Sequence, residues 1–289
     1  MSTPQITFIG AGAIGLPMAV RAAAVGAVTA VDTSAERLAE ARSHGLQTSE
    51  SLAATSPADI VLVMVATAQQ AAAVLNGPDG VYATADPGAV VVVLSTLGPD
   101  AMQKLAAERP AGGPVLLDVP VTGGIPGAVA GTLTLFAAGD PDAIEQIRPV
   151  LETMGKVVFS GPNVGDGQSY KIVNQLLATS QLVVAAEALA FAERLGLDTG
   201  KVFDAVRGGA GGSWMLENYG PRMLDTNTAD IAARVDIFLK DAALVGETAE
   251  RIGFEGEMAT ATVAVLERAV ALGLAARDAS SVIDVYRQK

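Results

Sequence analysis

The sequence predicts an α/β half built on a doubly wound parallel sheet, followed by an all-α half entered through one long helix. Two observations lead to this. Through the first 162 residues, short runs rich in Val, Ile and Leu alternate with helical patterns. Those runs are continuously apolar, as expected of parallel strands covered on both faces. Beyond them no convincing strand follows, and the patterns are helical to the end.

The elements follow in order. "QITFIG" (5–10) reads as a strand, 13–26 as a helix, "AVTAVD" (27–32) as a strand and 34–45 as a helix. "DIVLVMVA" (59–66), "GAVVVVLS" (88–95) and "PVLLDVP" (114–120) continue the series, each bounded by Gly, Pro or Asp. Later strands are expected at 133–139 and 156–161, with a helix over 141–154 between them. Residues 169–196 read as one long helix, too broadly apolar for a surface amphipath and so buried on several sides. Helices over 199–207, 234–252, 256–272 and 278–287 complete the chain. The expected domains are therefore 1–162 and 163–289.

Composition narrows the function. The chain has 289 residues, half of them apolar and only 17% charged, so a sizeable core can form. A formal charge of −12 repels phosphate backbones and anionic lipid, which argues against nucleic-acid and membrane partners. With no cysteine, thiolate chemistry and cysteine metal sites are excluded, and no metal site is expected. The one histidine, His44, precedes Gly45 at a helix end, where it suits the helix dipole. Proton transfer near neutral pH therefore falls to lysine, a carboxylate or tyrosine. "MSTPQITF" has no signal-peptide pattern, and no uninterrupted apolar run reaches about 18 residues. Both point to a cytoplasmic protein.

"GAGAIG" (10–15) sets Gly10, Gly12 and Gly15 at the G-x-G-x-x-G spacing, between the first strand and the first helix. The first glycine permits a tight turn. The second lets backbone approach a pyrophosphate, and the third lets helix and strand pack closely. This is the context of a Rossmann dinucleotide site. Asp32 ends the second strand 20 residues after Gly12, where a carboxylate can bond the adenosine ribose of NAD and repel a 2′-phosphate. NAD is favoured over NADP. A strand-end aspartate could instead cap the next helix, a role open to Thr33 or Ser34 as well. Ser95 and Thr96 end another strand on the ligand edge; they also read as caps before Pro99.

"DVPVTGG" (118–124) ends in Thr122, Gly123 and Gly124. Two glycines free backbone N–H groups to turn toward an anion and the threonine adds a hydroxyl; an ordinary Gly-Gly turn remains the alternative. "GQSYKIVNQLL" (167–177) places Lys171 and Asn174 on one helix face. Near a helix N-terminus, between Tyr170 and Ile172, the lysine is opposed by the dipole, and burial would disfavour its charged form. Such a lysine suits acid–base catalysis; a solvated helix-start lysine is the plain alternative.

"FIGAGAIGLPMA", "DVPVTGG" and "GDGQSYKIVNQ" together resemble, in order and spacing, the signatures of the β-hydroxyacid dehydrogenases. That family shares its dinucleotide domain type with 6-phosphogluconate dehydrogenase. It includes 3-hydroxyisobutyrate dehydrogenase, tartronate semialdehyde reductase and the threonate dehydrogenases. The resemblance spans essentially the whole chain. It implies Lys171 as general acid–base, and Thr122, Gly123, Gly124, Asn174 and Gln175 at the substrate. It also implies cofactor contacts from the glycine turn, with Ala11, Ala13 and Ile14, and from Asp32, Thr33, Val65, Thr96 and Lys240. Lys240 also reads as an exposed helix lysine making local ion pairs. Three departures keep the required chemistry: Thr122 where serine is common, Gln175 where a second asparagine is common, and Ile14 where methionine is common. Imine reductases, related in fold, usually lack the lysine.

Residues 208–224 resemble the threonate-type subgroup, with Ser213, Trp214 and Asn218 offering polar contacts or serving as cap and packing. The expected substrate is a short 3-hydroxy acid, threonate-like or 3-hydroxyisobutyrate-like, or its semialdehyde. Tartronate semialdehyde reduction, imine reduction and a non-catalytic NAD sensor are the alternatives. The apolar second half predicts a homodimer or homotetramer, with the substrate cleft expected between the halves.

Overall fold

The computed structural model describes residues 3–55, 57–225 and 231–288. The chain splits into two compact units, Met1–Lys171 and Ile172–Lys289, so the division falls inside the long helix.

The first unit carries strands β1 (Gln5–Ile9), β2 (Ala27–Val31), β3 (Gln47–Ser49), β4 (Ile60–Val63), β5 (Val90–Val93), β6 (Val115–Asp118), β7 (Val121–Thr122), β8 (Leu133–Ala138) and β9 (Gly155–Gly161). Its helices are α1 (Gly15–Ala22), α2 (Ala35–Ser43), α3 (Ala68–Asn76), α4 (Val81–Thr84), α5 (Pro99–Ala107), α6 (Gly124–Ala130) and α7 (Pro141–Leu151). Six parallel strands run in the order β3-β2-β1-β4-β5-β6. This is the Rossmann order, and its direction of winding reverses between β1 and β4, the place where such sheets bind ligands.

Every residue of β4 and β5 is buried. Alternation by two divides the apolar side chains between the faces. Phe8, Leu62, Val92 and Leu117 join one core layer, while Ile9, Val63, Val93 and Leu116 join the other. After β6 the chain turns back: β8 runs antiparallel to β6 and β7, and β9 parallel to β8.

The second unit contains most of α8 (Asp166–Arg194), then α9 (Thr199–Val206), α10 (Trp214–Leu224), α11 (Val235–Arg251), α12 (Glu257–Ala271) and α13 (Asp284–Arg287). Leu182, Leu189, Phe203, Met215, Val235, Leu266 and Val282 form its core. By length and composition alone α8 could cross a bilayer, yet half of its most apolar window is buried within the protein, as in the core helix of a globular fold.

Two expectations are corrected. The helix anticipated from residue 169 begins at Asp166, because its first N–H groups find an acceptor on Asp118, far upstream. The helix anticipated over 278–287 is a buried 3-10 turn, Ala279–Ile283, followed by α13. The Asp278 carboxylate accepts from Ser280 N–H and its carbonyl from Ser281 N–H, which tightens the turn.

Candidate active site

The glycine turn joins β1 to α1. Gly10 has φ +98°, and a Cβ there would lie 2.1 Å from the Met64 carbonyl oxygen. A Cβ on Gly15 would lie 2.0 Å from the Gly10 carbonyl oxygen. These two glycines are demanded by the fold. Gly12 is different: nothing lies within 4 Å of an added Cβ. The open space beside the turn fits a pyrophosphate drawn close to backbone at the start of α1.

Asp32 is not the cap of α2; that role falls to Ser34, whose hydroxyl accepts from Arg37 N–H. Asp32 instead accepts from Ala11 N–H at 2.8 Å and from Ser34 N–H at 2.9 Å, which ties the glycine turn to the end of β2. The carboxylate thus lies at the carboxyl edge of the sheet, where a ribose would need it. Thr33 and Ala13 are exposed, whereas Ala11 is buried and Ile14 half-buried.

Ser95 and Thr96 do not cap α5. Gly98, at φ +86°, precedes its first residue, Pro99, without a side-chain cap. The buried Ser95 hydroxyl accepts from Val65 N–H at 2.8 Å, which holds the loop after β5 against the loop after β4. Thr122 pairs with Thr134 across β7 and β8. Gly123 (φ +129°) and Gly124 (φ +63°) then turn the chain into α6 with backbone that other residues adopt only under strain.

Lys171 is only 6% exposed. Because α8 starts at Asp166, the lysine sits in the second turn, and the dipole expected to oppose its charge has largely faded there. The helix start is pressed onto the sheet: a Cβ on Gly167 would lie 2.5 Å from the Phe136 carbonyl oxygen. Tyr170 is half exposed, with its ring 6.0 Å from that of Phe136.

In the second unit, Asn174 donates to the Gln175 side-chain oxygen at 2.8 Å, and Gln175 donates to Asp241 Oδ2 at 2.5 Å. Lys240 Nζ lies 2.9 Å from Asp241 Oδ1, a charge contact without hydrogen-bond alignment. Lys240 therefore does make the local ion pair considered from sequence. Ser213 caps α10 by accepting from Leu216 N–H, Trp214 is half exposed, and Asn218 donates to the Trp214 carbonyl.

Sequence reasoning passed over Asp118 and Gln168, both fully buried. Burial pushes the Asp118 carboxyl up to about 6, against the opposing pull of N–H donors from Gln168 and Gly165. The raised value means that the folded state binds the proton more readily between pH 3.8 and about 6. This group's contribution to stability is therefore largest at the low end and is lost as pH rises through that window, at about 1.4 kcal/mol per pH unit. Thermal melts should show the wild type gaining on Asp118→Asn as pH is lowered from 7 to 5. A constant difference would contradict the raised carboxyl.

Known proteins match the chain along both units. Residues 5–163 match the NAD binding domain of 6-phosphogluconate dehydrogenase, and residues 165–286 match the NAD-binding domain of NADP-dependent 3-hydroxyisobutyrate dehydrogenase. An L-threonate dehydrogenase from Haemophilus influenzae is 32% identical, covering 98% of this chain and 95% of its own. An NAD-dependent L-serine dehydrogenase from Pseudomonas aeruginosa is 31% identical over 98% of this chain and 97% of its own. The crystal structure of a 3-hydroxyisobutyrate dehydrogenase from Salmonella typhimurium superposes with a TM-score of 0.90 at 31% identity, covering 97% of this chain and 99% of the other. With both units matched and relatives aligned over nearly their full length, the chain belongs to the β-hydroxyacid dehydrogenases, the NAD(P)-dependent oxidoreductases of small hydroxy acids.

Proposed function

We propose that this chain is an NAD-dependent dehydrogenase of a short 3-hydroxy acid, threonate-like or 3-hydroxyisobutyrate-like, with Lys171 as general acid–base. The observation that carries the reading is a lysine only 6% exposed, on the helix whose first turn is anchored to the carboxyl edge of the dinucleotide-binding sheet. Bound nicotinamide supplies the hydride acceptor. Lys171 Nζ takes the hydroxyl proton during oxidation and returns it during reduction. Thr122, Gly123 and Gly124 hold the substrate carboxylate through a hydroxyl and turned backbone N–H groups. Asn174, with its amide oriented by Gln175, directs the substrate hydroxyl; Ser213 and Trp214 contact its far end. Relatives acting on threonate and serine support a small polar substrate. An exposed apolar stripe on α8, including Val173, Leu177, Val184 and Phe191, supports the expected self-association.

Asp32 favours NAD, since its carboxylate would face the 2′-phosphate of NADP. Arg37, the nearest candidate to hold that phosphate, lies 3.8 Å from Glu40. Asp32→Asn keeps an acceptor for the glycine turn and removes the charge, so the NAD preference should narrow by about tenfold, or 1.4 kcal/mol. Initial rates with both cofactors measure it; an unchanged ratio removes Asp32 as the discriminator.

Absorbance of reduced nicotinamide, followed with L-threonate, 3-hydroxyisobutyrate, L-serine and related 3-hydroxy acids, tests the activity directly. Turnover with NAD on at least one of them is expected. NAD binding without turnover across the panel would overturn the proposal in favour of a sensor.

A further inference from the structure

Gln168 has all four hydrogen-bonding positions of its carboxamide in use, at zero exposure. Its Nε2 donates to the Ser95 carbonyl at 3.0 Å and to Asp118 Oδ1 at 2.7 Å. Its Oε1 accepts from Leu97 N–H at 2.9 Å and Gly98 N–H at 3.1 Å. The Ser95 carbonyl belongs to the peptide group before Thr96, and the Leu97 N–H to the one after it. One amide therefore holds both peptide planes that flank Thr96. The other end of the same residue is equally fixed. Asp118 Oδ2 accepts from Gln168 N–H at 2.9 Å and from Gly165 N–H at 3.0 Å, which pins the first turn of α8. Lys171 follows three residues later, about 4.5 Å along the helix axis.

We propose that Gln168, seated by Asp118, is a positioning residue that sets Lys171 and Thr96 in register with each other through one buried carboxamide. This rests on the assignment of Lys171 as the proton carrier. Only an amide of this length can bond a carbonyl, a carboxylate and two N–H groups at once. Glutamate keeps the acceptor and loses both donors, and methionine keeps the length and loses everything. A buried network fully satisfied in this way is rigid, and partial loss frees the loop while leaving the strands intact.

The test measures steady-state kinetics, NAD affinity and melting temperature for Gln168→Met, with Lys171→Ala in parallel. Gln168→Met should lower kcat by about 100-fold while substrate KM stays within about threefold and NAD Kd rises by about tenfold at most through the freed Thr96 loop, because sub-ångström misplacement acts chiefly on the reacting geometry. Should that variant not fold, Gln168→Glu combined with Asp118→Asn exchanges donor and acceptor in the Asp–Gln link and keeps the acceptor for Leu97 and Gly98. It still lacks the donor to Ser95, and the same fall in kcat is expected of it. A folded variant with wild-type kcat, beside an inactive Lys171→Ala, overturns the positioning role alone. A fall in kcat no larger than the loss of NAD affinity marks a merely structural residue and overturns it too, whatever the melting temperature does. Full turnover by Lys171→Ala overturns the acid–base assignment itself, and the positioning role with it.

Discussion

Lys171→Ala is expected to lose about 10²–10⁴-fold in kcat, the usual contribution of a positioned acid–base group, while binding NAD as the wild type does. The cysteine-free chain has one histidine, exposed at the C-terminal end of α2, which leaves lysine, a carboxylate or tyrosine to carry the proton. Of these, the proposed proton carrier is Lys171, which is buried and lies on the anchored helix. Lys171→Arg separates two roles. Arginine retains positive charge but does not give up its proton near neutral pH, so a residue needed only to attract an anion would tolerate it. Both variants are expected to be inactive in the reduced-nicotinamide assay with unchanged NAD titrations. An active Lys171→Arg would show that charge, not proton transfer, is what the site requires.

The second large effect separates the three glycines of the turn. Gly10→Ala places a methyl 2.1 Å from a backbone oxygen, at a φ of +98° that alanine resists. Gly15→Ala drives a methyl to 2.0 Å from another backbone oxygen, where α1 crosses β1. Backbone cannot swing aside as a flexible side chain can. Each should cost about 3 kcal/mol, or roughly 6–12 °C in melting temperature, and take NAD binding with it. Gly12→Ala meets nothing within 4 Å and has no positive φ to lose. It should leave the melting temperature unchanged and weaken NAD about 10- to 100-fold, because its methyl occupies the space a pyrophosphate needs. Calorimetry and NAD titration check both halves. Wild-type affinity in Gly12→Ala would mean that the dinucleotide does not approach there.

Some of this was legible residue by residue. "VVVV" at 90–93 and "IVLV" at 60–63 could hardly be anything but strands covered on both faces, and both are. The glycine spacing announced a tight turn, and His44 proved to be the exposed end of α2. Ser95 was legible only as one of two things, and it is neither a cap nor an open ligand-edge group: its hydroxyl supports Val65. Asp118 and Gln168 carried no local signal. Each looks like an ordinary polar residue beside a glycine or at a strand end, and their meaning lies in partners about 50 to 73 residues away.

Sequence alone determined the kinds of element, their order and the types of chemistry available. Those follow from side-chain periodicity, from backbone freedom at glycine and from which titratable groups are present, all properties of neighbouring residues. Tertiary structure decided where α8 begins, which glycines the fold itself demands, and which buried amide spans from the lysine's helix to the Thr96 loop. Those depend on distances between segments far apart in the chain, where one well-placed acceptor outweighs local helix preference because a buried N–H left without a partner costs more than the preference supplies.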